Sequence, residues 1–501
     1  MNELKEISKI VTVNRTRRIN FIFDKSEKSV VDFFQASKAI ASGKVSTNEE
    51  FASFVSAEKN SIKFRVYKHR LMDRLLNTML IIDLSKEIPT AYSQAVKACN
   101  RNRYCIDLLL MFSARHTGAA LAKKTLKLAL EFELYETVFF CAKVLRKHES
   151  YLGNLEGYEN FKKLADDCYD RMYADDKTAE FIEEVYANQA NTNIYPPDVI
   201  EKAKHNLKIT RALFNQFPLY QVGLKHYRLQ ALCEELKHDY AAALKTWVQF
   251  EGFVEEYKHF EHNVRLGESA LQQMHCYLCL GDFEHGRECA LKCETLFALH
   301  SNNWFIYKET FFLLCMHSRN YGEAEKTLNL ITSISHFKLL NRNRQEQWKI
   351  FEAYCHIINR AGFPGVAGDY TKQNRFRLSK FLNDIPIYNK DKEGFNTSIL
   401  IVQIMTLLLD QKFLKLPDKV EALKRYANRY FKKETVYKSH TFMKMIIIAD
   451  KCSYDKALTL EKTRDMESEL NTEGYTHVSS YDGLEIVPYI DLWKIVISSL
   501  Q

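Results

Sequence analysis

The sequence predicts an all-α protein, an α-solenoid of helix pairs behind a basic N-terminal helical domain, and three observations lead there. Nearly every stretch places apolar residues at the three-and-four spacing of an amphipathic helix, and strand-like alternation is rare. Glycine and proline are scarce, 16 and 8 among 501 residues, whereas sheets joined by tight turns need more of both. One kind of corner recurs at His238-Asp239-Tyr240, Gly281-Asp282-Phe283 and Arg319-Asn320-Tyr321, two residues and then an aromatic, with a helical pattern on each side. A lone helix pair cannot cover its apolar face, so such pairs stack on their neighbours.

In chain order, Val13 to Ile22 carries Arg15, Arg17 and Arg18 without a strong helical period. A helix is expected from Ser26 to Ser42, with the stripe Val30, Val31, Phe33, Phe34 and Ile40, stopped by Gly43. Ser46-Thr47-Asn48-Glu49-Glu50 opens the next helix with a capping box in either of two registers, and Phe51, Phe54 and Val55 give it a buried face. Residues 61–84 form a longer helix with Tyr67, Leu71, Leu75, Met79 and Ile82 on one face; Lys63, Arg65, Lys68, His69, Arg70 and Arg74 crowd its first half. Shorter helices follow, of which Leu121–Phe132 and Leu134–Lys147 read as one antiparallel pair. Residues 155–190 read as one or two long surface helices. Pro196-Pro197 interrupts the pattern and a helix can restart at Asp198, which places the expected boundary between the N-terminal domain, 1–190, and the solenoid, 198–470. A second break spans Gly362 to Gly368. Helices resume by about Gln373 and include the apolar Thr397–Leu409. The closing segment, 471–501, is a loop and then an apolar tail, Glu485 to Leu500, expected to dock on the last helices as a cap.

Charge is unevenly placed. Residues 1–120 hold 20 Lys/Arg and 12 Asp/Glu, and the rest of the chain holds 51 of each, so the whole excess of +8 sits at the N-terminal end. Such an excess speaks to partners rather than to fold. The start, Met1 to Ile10, mixes charged and apolar residues unlike a secretory signal. The longest apolar run, Ile399 to Leu409, is about half of what a bilayer requires. The twelve cysteines sit inside apolar helical patterns, where a free thiol acts as a small hydrophobe. A cytoplasmic protein with no membrane partner is expected.

The helix pairs resemble tetratricopeptide repeats. In that motif a small residue follows the corner aromatic by three positions and a bulky one follows four further on; here these are Tyr240, Ala243 and Trp247, then Phe283, Gly286 and Ala290, then Tyr321, Ala324 and Leu328. The corner aromatics are 43 and 38 residues apart rather than the family's 34. Ala231 supplies the small residue the first helix needs at its crossing point, whereas Met274 and Phe312 stand there in the other two pairs. The resemblance implies a concave groove built from the first helix of each pair, with Arg228, Leu232 and Glu235, then Leu271, His275 and Leu278, then Glu309, Leu313 and Met316 along it. That mixed wall lacks the Lys/Asn set that grips a C-terminal carboxylate, and it suits an amphipathic or extended peptide.

Three further constellations were weighed. Cys276, Cys279, Cys289 and Cys293 could close a tetrahedral zinc site, but they fall where the pair needs small buried residues, and core packing is the reading adopted. Arg15, Arg17, Arg18, Lys63, Arg65, Lys68, Arg70 and Arg74, with Arg101 and Arg103, could meet DNA or RNA phosphates, with Tyr67 and Tyr104 interleaved as base-stacking platforms. A second basic–aromatic stretch, Lys424 to Lys433, looks like an ordinary exposed face. The glycines at 362, 365 and 368 lack the lysine of a phosphate loop, and no metalloprotease or nucleophile-elbow motif occurs. The expectation is a non-enzymatic scaffold or adaptor without metal or cofactor that binds a protein or peptide. The alternative is a regulator whose N-terminal domain meets nucleic acid while the solenoid senses a peptide.

Overall fold

The computed structural model describes residues 1, 3–5, 7–8, 29–79, 90–191, 197–363, 381–382, 395–430, 437–470 and 485–500, and among them every regular element is a helix. None of these helices is long and apolar enough to cross a membrane. The chain divides into two compact units, Met1–Ala98 and Cys99–Gln501. The division falls well before the expected boundary near residue 190.

The first unit contains α1 (Ser29–Ala41), α2 (Asn48–Phe54) and α3 (Ile62–Met79). Thr47 and Glu50 close the capping box of α2 reciprocally, which selects one of the two registers. Gly43 ends the turn after α1 at φ +77°, a value that costs glycine little. Phe33 and Ile40 from α1, Phe51 from α2, and Phe64, Leu71 and Leu75 from α3 form one core. The side chains of Val30, Val31 and Phe34 lie outside the described residues.

The helix α4 (Ala91–Met111) contains the division. In the second unit α5 (Arg115–Glu131) and α6 (Tyr135–Leu152) form the expected pair, and α7 (Leu155–Asn191) is one helix of 37 residues. Then come α8 (Pro197–Gln216), α9 (Tyr220–Glu235), α10 (Tyr240–Glu256), α11 (His262–Leu280), α12 (Phe283–Leu296), α13 (Asn302–His317), α14 (Tyr321–Ser333) and α15 (Arg342–Arg360). The last are α16 (Phe395–Leu409), α17 (Leu416–Tyr430), α18 (Tyr437–Lys451), α19 (Lys456–Leu470) and α20 (Tyr489–Ser499). From α5 onward every helix packs on its chain neighbour, and α7 also packs on α9. The proline pair therefore lies within a packed unit, across which Lys225 of α9 pairs with Asp175 of α7 and Asn206 of α8 donates to Glu184 of α7 at 3.1 Å.

One corner ends helix after helix. A residue in the left-handed region is followed by one whose amide donates to the carbonyl five positions back. The left-handed residues are Ser56 in the first unit and Ser113, Glu133, Gly153, His238, Gly281, Arg319, Gly362, Gln411 and Ser453 in the second. The matching bonds run from Ala114 N to Leu109 O at 2.8 Å, through Asp239 N to Glu234 O at 3.0 Å, to Tyr454 N to Ala449 O at 2.9 Å. Each corner satisfies carbonyls that a helix end would leave unpaired. Asp239 and Asp282 add a cap on the following helix, accepting from Ala242 N at 3.0 Å and His285 N at 3.2 Å. From His238 to Ser453 the successive corners are 43, 38, 43, 49 and 42 residues apart.

Packing inside the pairs rests partly on the residues the repeat pattern named. Ala243, Gly286 and Ala324 are buried; a Cβ on Gly286 would come within 3.4 Å of Tyr277 in its own pair and within 2.7 Å of Leu314 on α13, in the next pair. The tightest approaches lie elsewhere. A Cβ on Gly223 of α9 would sit 2.3 Å from Phe253, and one on Gly267 of α11 would sit 2.5 Å from Phe297. Both members of this glycine–phenylalanine contact recur after 44 residues.

The apolar tail docks as expected, through a polar anchor. Asp491 of α20 is fully buried; it accepts from Arg319 Nε at 2.7 Å, Lys494 Nζ at 3.0 Å and the Tyr321 hydroxyl at 3.2 Å. Burial alone would raise its pKa, but Arg319 and Lys494 overcome this and hold the carboxyl below its ordinary range. His317 Nε2 donates to the carbonyl of Glu485, and the Tyr489 ring stacks on Phe442 at 4.7 Å.

Candidate partner-binding site

The expected groove positions separate into two groups. Arg228, Leu232, Glu235, Leu271 and His275, on α9 and α11, keep part of their surface accessible. Leu278, Glu309, Leu313 and Met316 are buried. For Leu278, which packs in the core at 1% exposure, and for the three on α13 this corrects the groove implied by the resemblance. That helix is apolar on all sides, so it is covered on all sides. Its Phe312 stacks on Phe351 of α15 at 4.4 Å, and its last turn carries the Glu485 contact. Glu309 instead faces Arg344 of α15 at 3.5 Å.

Ion pairs tie the first helices to one another. Lys225–Asp175 links α9 to α7, and Arg228 holds Glu268 of α11 through two hydrogen bonds of 2.5 Å. Arg265 also donates to Glu268, at 3.1 Å on the oxygen that Arg228 Nη2 holds, and pairs with Glu261. Burial would lift the Glu268 carboxyl, but Arg228 and Arg265 pull it below the usual carboxylate range. A two-pronged guanidinium–carboxylate bond fixes side-chain direction as well as charge.

Beside this charged pair the wall changes character. Burial pushes Glu235 up to about 7 although the indole N–H of Trp247 donates to it at 3.3 Å. Burial lowers His275 to about 4, so its ring is neutral; it lies edge-on to Tyr240 at 6.2 Å with its Nε2 3.9 Å from Cys279 Sγ. Leu232 and Leu271 add apolar surface. Tyr186 of α7, which the sequence reading missed, lies in the field of Arg228, Glu268 and Glu235. It is 52% exposed, yet desolvation raises its hydroxyl pKa. No local motif could have revealed it, because α7 precedes the corners at 238, 281 and 319.

The other candidates are placed as follows. Cys276, Cys279, Cys289 and Cys293 are buried, and burial raises all four thiols, with Cys289 pushed up to about 11 and Cys293 to about 12. Among the described residues no group of three or more His, Cys, Asp or Glu is placed to hold a metal. Arg15, Arg17 and Arg18, and the glycines at 365 and 368, lie outside the described residues. Lys63, Arg65 and Arg70 are exposed on α3, and Lys68 is half-buried near the N-terminal amine. Arg74 covers the Phe33 ring at 4.6 Å, and Tyr67 packs on Phe33 at 4.3 Å, so this tyrosine serves the core rather than base stacking. Arg103 lies over Phe140 at 5.2 Å, while Arg101 and Tyr104 are exposed. Lys424 pairs with Glu421 at 3.2 Å.

Four imidazoles, His226, His275, His317 and His356, are lowered to about 4, in each case chiefly by burial. Between about pH 6.5 and 4 the unfolded chain takes up protons that these rings refuse, so their contribution to stability is lost as pH falls through that window. Glu235 and Glu485, both raised to about 7 by burial, act in the opposite sense: their contribution falls as pH rises from about 4.5 to 7. His226→Gln should therefore lose less stability than the wild type between pH 6.5 and 4; an unchanged pH profile of melting temperature for that variant would show that His226 makes no such contribution.

Scans against family models, curated proteins and solved structures each returned no match to this chain.

Proposed function

We propose that this protein is a non-enzymatic scaffold or adaptor, a tetratricopeptide-like solenoid that receives an extended or amphipathic peptide from a protein partner along its first helices. The observation that carries the proposal is the accessible strip of Tyr186, Arg228, Leu232, Leu271 and His275 on three successive first helices, α7, α9 and α11. Its support comes from the corner that returns every 38 to 49 residues from His238 to Ser453, longer than the sequence resemblance alone covers. Arg228 and Glu268 offer a fixed charged pair, and Leu232 and Leu271, one turn further along the same two helices, offer apolar contact beside it. Because these side chains are braced across helices, little ordering entropy is lost on binding. A cytoplasmic setting agrees with twelve free thiols.

The test is affinity capture with the full chain. A partner retained by the wild type should be lost, by roughly tenfold or more in affinity, on changing Leu232 and Leu271 to glutamate, because a charge is set against a desolvated contact. Unchanged melting would show that both variants are folded. If those folded variants kept every partner, the strip would not be the binding site.

A further inference from the structure

The exposed side of α3 carries a pattern that core packing does not explain. Phe64, Leu71, Leu75 and Thr78 are its buried residues. On the opposite side Ile62, Val66 and Leu76 are 76%, 43% and 47% exposed. At the helical repeat these three fall within a sector roughly 80° wide. Lys63 and Arg70 border it on one edge and Arg65 on the other. His69 and Asp73, inside the sector, pair with each other at 2.8 Å. At the same end of α3, Lys63 Nζ donates to Ser56 O at 3.1 Å, two residues beyond the exposed Phe54. Among the described residues, the side chains of Arg65 and Arg70 have no hydrogen-bond or ion-pair partner.

Cations alone would suit any polyanion. Nucleic acid offers phosphates and base edges, and only scattered apolar contacts such as a thymine methyl, which do not match a continuous sector of isoleucine, valine and leucine. An anionic lipid surface accommodates both features. The apolar sector enters the acyl boundary, while Lys and Arg stems lie along it and keep their charges at the phosphate level. We infer that the exposed face of α3 docks on an anionic lipid bilayer, with the helix lying in the plane of the interface.

Sedimentation of the full-length protein with vesicles tests this. Phosphatidylcholine vesicles containing phosphatidylserine should carry the protein down, and phosphatidylcholine alone should not. Arg65→Glu with Arg70→Glu should weaken binding roughly 30-fold or more. Ile62→Ser with Leu76→Ser should weaken it roughly tenfold. Ile62→Trp, which leaves the charge alone, should strengthen binding, with added indole emission that shifts to the blue on vesicles. Three results would overturn the inference: no binding to the phosphatidylserine vesicles, binding indifferent to the loss of Ile62 and Leu76, or transfer of the protein from vesicles to duplex DNA or RNA at matched phosphate.

Discussion

Replacing Gly223 by valine should lower stability by about 3 kcal/mol, the upper part of the range for overpacking a well-filled site. Even a single Cβ there would stand 2.3 Å from Cζ and 2.8 Å from Cε1 and Cε2 of Phe253. Phe253 has little room to retreat, because Phe214, Tyr220, Tyr227 and Tyr257 pack around it with ring centroids 5.0–6.1 Å away. Phe253→Ala alone should cost about 3–5 kcal/mol as a cavity. The pair should couple, since the valine then fills space the phenylalanine has left. Urea midpoints for the two single variants and the double variant measure this directly. A coupling of about 1–3 kcal/mol is expected; additivity would show that α9 and α10 do not meet at this point.

Asp491→Ala should cost about 3 kcal/mol, the low end for breaking a buried ion pair. The low end applies because Arg319 and Lys494 are each more than half exposed and regain water when the carboxylate is removed. Tyr321 is buried and loses its acceptor, which adds the penalty of an unpaired hydroxyl. Arg319→Ala should be milder, since Lys494 remains. The effect should also be local. Hydrogen exchange should quicken in Tyr489–Ser499 and at the Arg319 corner together. Unchanged exchange at that corner would show that the tail does not depend on Asp491.

Much of this fold was legible in the residues, and the exceptions share a cause. Helix after helix could be read from apolar spacing, and Thr47-Asn48-Glu49-Glu50 announced its own cap. The three corners at His238, Gly281 and Arg319 were visible because aspartate or asparagine and an aromatic follow the turn. Those at Ser113, Gln411 and Ser453 were hidden because Ala114, Lys412 and Tyr454 stand where the visible corners carry aspartate or asparagine, although the backbone bond is the same. The Gly223–Phe253 and Gly267–Phe297 contacts were present as a 44-residue echo that the shorter corner spacing obscured. The division at Ala98 was not legible, since a proline pair breaks a helix without ending a packed unit.

The candidate site was less legible than the fold. Position within a repeat says which side a residue faces and not what covers that side. Leu313 occupies the same repeat position as the accessible Leu232 on α9 and His275 on α11, yet α15 and the returning tail enclose α13. Asp491 stood in plain sight within an apolar tail, but its partners Arg319 and Tyr321 lie about 170 residues away.

Site-specific photocrosslinking measures the central claim most directly. A photoreactive side chain placed at Leu232 or Leu271 on the first helices should form an adduct with the partner. The same group at Val248 or Leu291, exposed on the second helices α10 and α12, should not. Adducts confined to Val248 or Leu291, with none from Leu232 and Leu271, would contradict a peptide-binding strip on the first helices.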